Sequence, residues 1–189
     1  MSHRKFSYVV ITFTLVILTV LAILVIVIDP YFHYHAPLKN HTYSIWMERY
    51  QNDGIVKHFE YDAIVAGTSM VENFKTSEVD ELFQAHAIKV PFAGAEYKEQ
   101  SDNLRVALKN NKDIKLIVWG LDLNQLIRDK DADFHGIYDQ GYKYPWFMID
   151  ENPFNDAEYI LNKDIVLSCL EVLQNTSRVG KGEVMSFDE

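Results

Sequence analysis

The sequence predicts an N-terminal transmembrane helix followed by an α/β domain with a parallel sheet. Three features support this fold class. A 23-residue run, Phe6 to Ile28, contains no charged residue. Three short apolar runs, at 63–66, 87–92 and 114–119, each lead into a glycine-bearing turn. Segments with helical spacing separate them, the pattern of strands joined in parallel by right-handed crossovers.

At about 1.5 Å per residue the N-terminal run covers roughly 34 Å, enough to cross a bilayer with some tilt. Arg4 and Lys5 precede it and Asp29-Pro30 ends it. The positive-inside rule then predicts a cytoplasmic N-terminus and an extracytoplasmic domain held at the cell membrane by one span. A cleaved signal peptide would have an apolar core of about 7–15 residues and a small-x-small site. Val25-Ile26-Val27-Ile28-Asp29-Pro30 offers no such site, so an uncleaved anchor is expected. The expected layout is a stub and anchor over 1–29, a juxtamembrane linker over 30–60 and the α/β domain over 61–189.

All 27 acidic residues lie at or beyond Asp29, against 16 of the 18 basic ones. That balance argues against nucleic acid or another polyanion as the main ligand. Cys169 is the only cysteine, so no intrachain disulfide can form, and its apolar helical setting places it in the core. An external protein without disulfides fits a bacterial surface.

After the anchor, 30–38 is aromatic and proline-punctuated, as suits a lipid–water interface. His33 and His35 lack a third ligand at a useful spacing, so no metal site is expected. Tyr43 to Lys57 reads as helical or irregular, broken at Asp53-Gly54. Ala63–Ala66 is the first strand. Thr76 or Ser77 can cap a helix running to Phe83, with Glu78 and Asp80 in its first turn. Ala87–Phe92 is the second strand, ending in Ala93-Gly94-Ala95. A helix from Lys98 to Asn110 follows, with Leu104, Ala107 and Leu108 on its inner face. Ile114–Trp119 is the third strand, ending in Gly120-Leu121-Asp122-Leu123-Asn124.

Arg128 to Asn152 is polar and aromatic without periodicity, holding Tyr138, Tyr142, Tyr144, Trp146 and Phe147. It reads as an insertion near the C-terminal rim of the sheet, placed to shape a substrate cleft. Pro153-Phe154-Asn155 then opens a helix with Asn155 as N-cap and Glu158 as its capping-box partner. Leu161, Ile165, Ser168 and Val172 form its inner face, widened by Leu170 and Leu173.

The chemistry concentrates at the strand ends. Asp62-Ala63-Ile64-Val65-Ala66-Gly67-Thr68-Ser69-Met70 reads as a buried strand delivering the Ser69 hydroxyl to the edge where open α/β folds keep their sites. Gly67 permits a sharp turn, and the amides after it can face a developing oxyanion. A plain strand-to-helix turn with a capping hydroxyl accounts for the same residues equally well. The second strand brings Gly94 to this edge, and the third brings Gly120, Asp122 and Asn124.

This order of blocks resembles the SGNH (GDSL-like) hydrolase superfamily, whose nucleophilic serine follows the first strand in a Gly-Asp-Ser-type block. A glycine from the second block and an asparagine from the third help line its oxyanion hole. Gly67-Thr68-Ser69 is similar to the first block, with Thr68 in place of the usual aspartate, and Phe92-Ala93-Gly94 to the second. The third block is usually Gly-x-Asn-Asp; here Asp122 stands where the asparagine would be, and Asn124 comes two residues later. The stretch from Asp29 to Asn73 further resembles membrane-anchored SGNH-like proteins of Firmicutes. It includes Phe32-His33-Tyr34-His35, Arg49-Tyr50-Gln51-Asn52-Asp53-Gly54 and Gly67-Thr68-Ser69-Met70-Val71-Glu72-Asn73.

The resemblance implies a flavodoxin-like three-layer α/β/α domain, partial here, with no cofactor. It implies Ser69 as nucleophile, the Ser69 and Gly94 amides and Asn124 as oxyanion donors, and Thr68 and Asp122 as substrate-binding residues. It also implies an esterase or acyltransferase acting on acylated cell-envelope glycan, partnered by a polytopic membrane acyltransferase. The family's Asp-x-x-His block is missing. None of the seven histidines has aspartate three residues before it, and His135 follows Asp133 by two. The chain therefore reads either as the N-terminal portion of such a protein or as a catalytically inactive module that binds glycan or supports an acyltransferase. A membrane-held α/β domain without a carbohydrate role is the third reading.

Overall fold

In the computed structural model, which describes residues 3–127, 145–150, 152–179 and 187–188, the N-terminal run forms one helix, α1 (His3–Ile28). Its mean hydropathy reaches 3.2 over an 18-residue window, long and apolar enough to cross a membrane. Its side chains stand exposed from His3 to Val20. The chain divides into two compact units, one built on a sheet and one on α1.

The sheet unit contains three parallel strands, β1 (Ala63–Gly67), β2 (Ala87–Pro91) and β3 (Leu116–Trp119), in the order β2-β1-β3. Ala63 pairs with Ala87 and Leu116, and Ala66 with Val90 and Trp119. The small and β-branched residues of β1 are buried throughout, as befits a central parallel strand. β3 is only half-buried, and among the described residues it has one strand neighbour. Three helices cover the sheet: α2 (Glu48–His58) and α3 (Thr76–Phe83) pack on β2, and α4 (Tyr97–Asn110) on β1 and α2. One core cluster joins Ala63, Val65 and Ala87 to Val71 and to Val79 of α3.

Several local expectations need correction. α2 runs unbroken through Asp53-Gly54. Gly54 is a close-approach glycine, since a Cβ there would stand 2.3 Å from the Phe32 carbonyl oxygen. Phe32 is fully buried and meets the Phe59 ring edge-on at 5.1 Å. Residues 31–36 and 44–60, expected as linker, thus belong to the sheet unit. α3 is not capped by its own threonine or serine. Asp188 does this, accepting from the Ser77 amide at 3.0 Å and the Thr76 hydroxyl at 3.1 Å, while Phe187 packs against Phe59. In α4, Leu104 and Ala107 face inward with Gln100 and Asn103, but Leu108 is 46 % exposed.

A short helix, α5 (Leu123–Leu126), follows β3 in the sheet unit, and the second unit gathers α1, residues 37–43, α6 (Ala157–Ile160) and α7 (Lys163–Val179). The single helix expected from Asn155 is therefore two. Asn162 breaks it and caps α7, its side chain accepting from the Asp164 amide at 2.8 Å. Asn155 forms no capping box with Glu158, because its side-chain amide is turned to Asp150 at 2.6 Å. Ile165, Ser168, Cys169 and Val172 are buried, whereas Leu161, Leu170 and Leu173 are exposed. The end of α1 is tied in by polar contacts. Buried Asp29 accepts from the Tyr159 hydroxyl at 2.8 Å, and the Tyr43 hydroxyl donates to the Ile28 carbonyl at 2.7 Å. Tyr138, Tyr142, Tyr144 and His135 lie outside the described residues.

Candidate functional site

The site begins with a steric constraint at the end of β1. A Cβ on Gly67 or on Gly120 would stand 2.6 Å from Cγ1 of Val71. The two glycines therefore leave a slot into which Val71, 3 % exposed, folds back. Filling that slot closes a one-turn 3-10 helix, Ser69–Val71, with the Val71 amide donating to the Thr68 carbonyl at 3.0 Å. Thr68 is buried by the turn and Ser69 is left exposed. Lys89 secures the next residues: 6 % exposed in β2, its ammonium donates to the carbonyls of Glu72 at 2.7 Å and Phe74 at 3.0 Å. Burial holds the Lys89 pKa below its ordinary range.

At the end of β2, Gly94 adopts φ +64°, a conformation that favours glycine, in a turn closed by the Ala95 amide on the Phe92 carbonyl at 3.0 Å. Gly94 is exposed. Both polar groups of Ala93 are held by the start of α2. Its amide donates to Glu48 Oε2 at 2.6 Å, and its carbonyl accepts from Arg49 at 2.9 Å. Arg49 in turn grips Glu99 with two hydrogen bonds, at 2.7 and 3.0 Å, the fork geometry particular to guanidinium and carboxylate. Burial pushes the Glu48 carboxyl up to about 7, with Glu72 beside it adding to the shift and the Ala93 amide opposing it.

The loop after β3 enters α5 (Leu123–Leu126), with Asp122 as the preceding residue. Asp122 Oδ2 accepts from Thr68 Oγ1 at 2.5 Å, and its backbone carbonyl accepts from the Tyr97 hydroxyl at 2.9 Å. The Gln125 side-chain amide donates to the Ala95 carbonyl. Trp119 Nε1 donates to Gln100 Oε1 of α4 at 2.8 Å.

The loops that carry Ser69, Gly94 and Asp122 are thus cross-linked: the first to the third through Thr68 and Asp122, the second to the third through Ala95 and Gln125. Asn124 falls in α5, and its side chain lies outside the described residues. Asp122 meets Thr68 in a hydrogen bond that ties the two loops together. Sequence reasoning met Arg49 only within the Arg49–Gly54 motif, with no role assigned, and did not single out Glu48, Lys89, Tyr97 or Gln125. Lys89, alone among apolar neighbours in Ala-Ile-Lys-Val-Pro, carried a signal of its own.

What this arrangement offers chemically is an exposed serine after the central strand and an exposed glycine turn after the neighbouring one. Among the described residues, Ser69 makes no side-chain hydrogen bond, and no group of three or more His, Cys, Asp or Glu could hold a metal ion. His33 lies edge-on against the Tyr34 ring at 4.6 Å, and His35 Nδ1 lies 2.6 Å from the Ala36 carbonyl. Comparison with protein-family models, with curated proteins and with solved structures gives no match for this chain.

Proposed function

We propose that this chain is a membrane-anchored, extracytoplasmic SGNH-like module with a flavodoxin-like sheet arrangement, in which Ser69 accepts an acyl group from, or passes one to, a cell-envelope glycan. The observation that supports this reading most is the outward position of Ser69 at the C-terminal end of the central parallel strand, where such sheets carry ligands. Attack by Ser69 on an acyl carbonyl would place the oxyanion toward the Ser69 and Gly94 amides, with Asn124 as a third donor. Serine near its free pKa is a weak nucleophile without an adjacent base. These 189 residues hold no Asp-x-x-His block of the kind that would supply one. The test is labelling of the full chain by a fluorophosphonate probe beside Ser69→Ala. Labelling lost with the alanine supports the nucleophile role, and equal labelling removes it.

The missing base also favours a second reading, a non-catalytic module that binds glycan or supports a polytopic membrane acyltransferase. Co-purification with such a partner, unchanged by Ser69→Ala, is the outcome this reading predicts.

A further inference from the structure

Within the unit built on α1, the last two turns of the apolar helix are not open to lipid on all sides. Leu21, Leu24, Val25 and Ile28 are covered, with Val25 fully buried, while Ile23, Ile26 and Val27 between them are exposed. That i, i+3, i+4, i+7 pattern marks one helix packed along another, and α7 and α6 both contact α1. A hydrocarbon core of about 30 Å takes about 20 residues of helix. The run from Phe6 to Ile28 exceeds this by roughly one turn. Cover that starts at Leu21, two turns before Ile28, therefore starts below the level at which the acyl chains end.

The surface of α7 is divided to match. Its inner face is Ile165, Ser168, Cys169 and Val172. One flank carries Val166, Leu170 and Leu173 at helical spacings of four and three, with Leu170 50 % and Leu173 38 % exposed. The other flank carries Asp164, Glu171 and Arg178, seven residues apart and all exposed, with Leu167, 46 % exposed, between the first two. A helix with a buried face, one apolar flank and one flank bearing three charges suits a boundary between acyl chains and water.

We propose that α7 lies in the outer membrane interface with Leu170 and Leu173 set into the lipid surface and the Asp164–Glu171–Arg178 flank in water. Its occupant is the same bilayer that α1 crosses. The apolar flank belongs to the helix that packs on α1, whose apolar run is long enough to cross that bilayer. This inference goes beyond the acyl chemistry and rests only on α1 as a membrane span. α7 then fixes the height of the α1 exit at the membrane, with Asp29 held by Tyr159 as the joint.

The test uses nitroxide labels on the full chain in phosphatidylcholine–phosphatidylglycerol vesicles. Leu170→Cys, Leu173→Cys, Glu171→Cys and Phe13→Cys are each made with Cys169→Ala and compared for collision with oxygen and with a water-soluble nickel chelate. The expected result is Phe13→Cys shielded from nickel, Leu170→Cys and Leu173→Cys several-fold more accessible to oxygen than to nickel, and Glu171→Cys open to nickel. Leu170→Cys and Leu173→Cys as open to nickel as Glu171→Cys, with Phe13→Cys still shielded, would overturn the interfacial placement while leaving the span intact. Nickel access at Phe13→Cys would overturn the span itself, and the proposal with it.

Discussion

Thr68 Oγ1 donates to Asp122 Oδ2 at 2.5 Å, across 54 positions of sequence. The contact joins the loop that presents Ser69 to the loop that follows the neighbouring strand β3. A carboxylate from the third loop thus serves the first.

Asp122→Ala removes the acceptor for the Thr68 hydroxyl proton and leaves that hydroxyl only the Met70 amide, which donates to it at 3.5 Å. A hydrogen bond to a charged group contributes about 1.5–3 kcal/mol. Thermal unfolding of the full chain in detergent micelles should show a loss of that order. Thr68→Val with Asp122→Ala should lose less than the sum of the single changes.

Gly120→Ala places a methyl group against Val71, and overpacking of this kind costs about 1–3 kcal/mol. Val71→Ala opens a gap at the same place. Combined in one chain, the two changes should partly compensate. A double-mutant cycle by thermal unfolding should give a favourable coupling of about 1 kcal/mol, and strict additivity would show that the two glycines do not shape the Ser69 turn.

Lys89→Met keeps the length of the side chain and removes its ammonium from the carbonyls of Glu72 and Phe74. A hydrogen bond from a charged donor contributes about 1.5–3 kcal/mol, and a loss of that order is expected in thermal unfolding. Amide hydrogen exchange should quicken over 69–74 more than in β1, since the lysine acts on the turn and not on the strand.

Glu48 gives a pH dependence whose sign follows from burial. Its folded-state pKa, about 7, lies above the ordinary value of 4.5, so the folded state binds the extra proton. The stability from this group is fully present below the ordinary value and is lost as pH rises through about 7. Glu48→Gln should flatten the fall in melting temperature between these pH values. Asp188 acts in the opposite sense, because the Ser77 and Thr76 donors lower its pKa, so its contribution is lost on acidification. Asp188→Asn should therefore matter less at acid pH than at neutral pH.

Much of the sheet was legible because its signals are local. A parallel strand covered on both faces reads as a near-continuous apolar run, and Ala63–Ala66 and Ile114–Trp119 carry that signal. α1 declared itself by length alone. The misses arise where distant residues decide the outcome. Gly54 looks like a helix breaker until the Phe32 backbone is brought against it. Thr76 looks like a cap until Asp188 arrives to serve that helix. Leu170 and Leu173 look like core because periodicity gives a face and does not say whether protein or lipid covers it. At the candidate site, Ser69, Gly94 and Asp122 were legible from the strand ends. Glu48, Arg49 and Gln125 were not, since their roles come from hydrogen bonds to Ala93 and Ala95 that no spacing announces.

The central claim is that Ser69 is an acyl-accepting hydroxyl. Mass spectrometry of the full chain after incubation with p-nitrophenyl acetate tests it directly. One acetyl group on the peptide that carries Ser69, absent from Ser69→Ala, is the predicted result. Acetylation confined to lysines, with the Ser69 peptide unchanged, would contradict it.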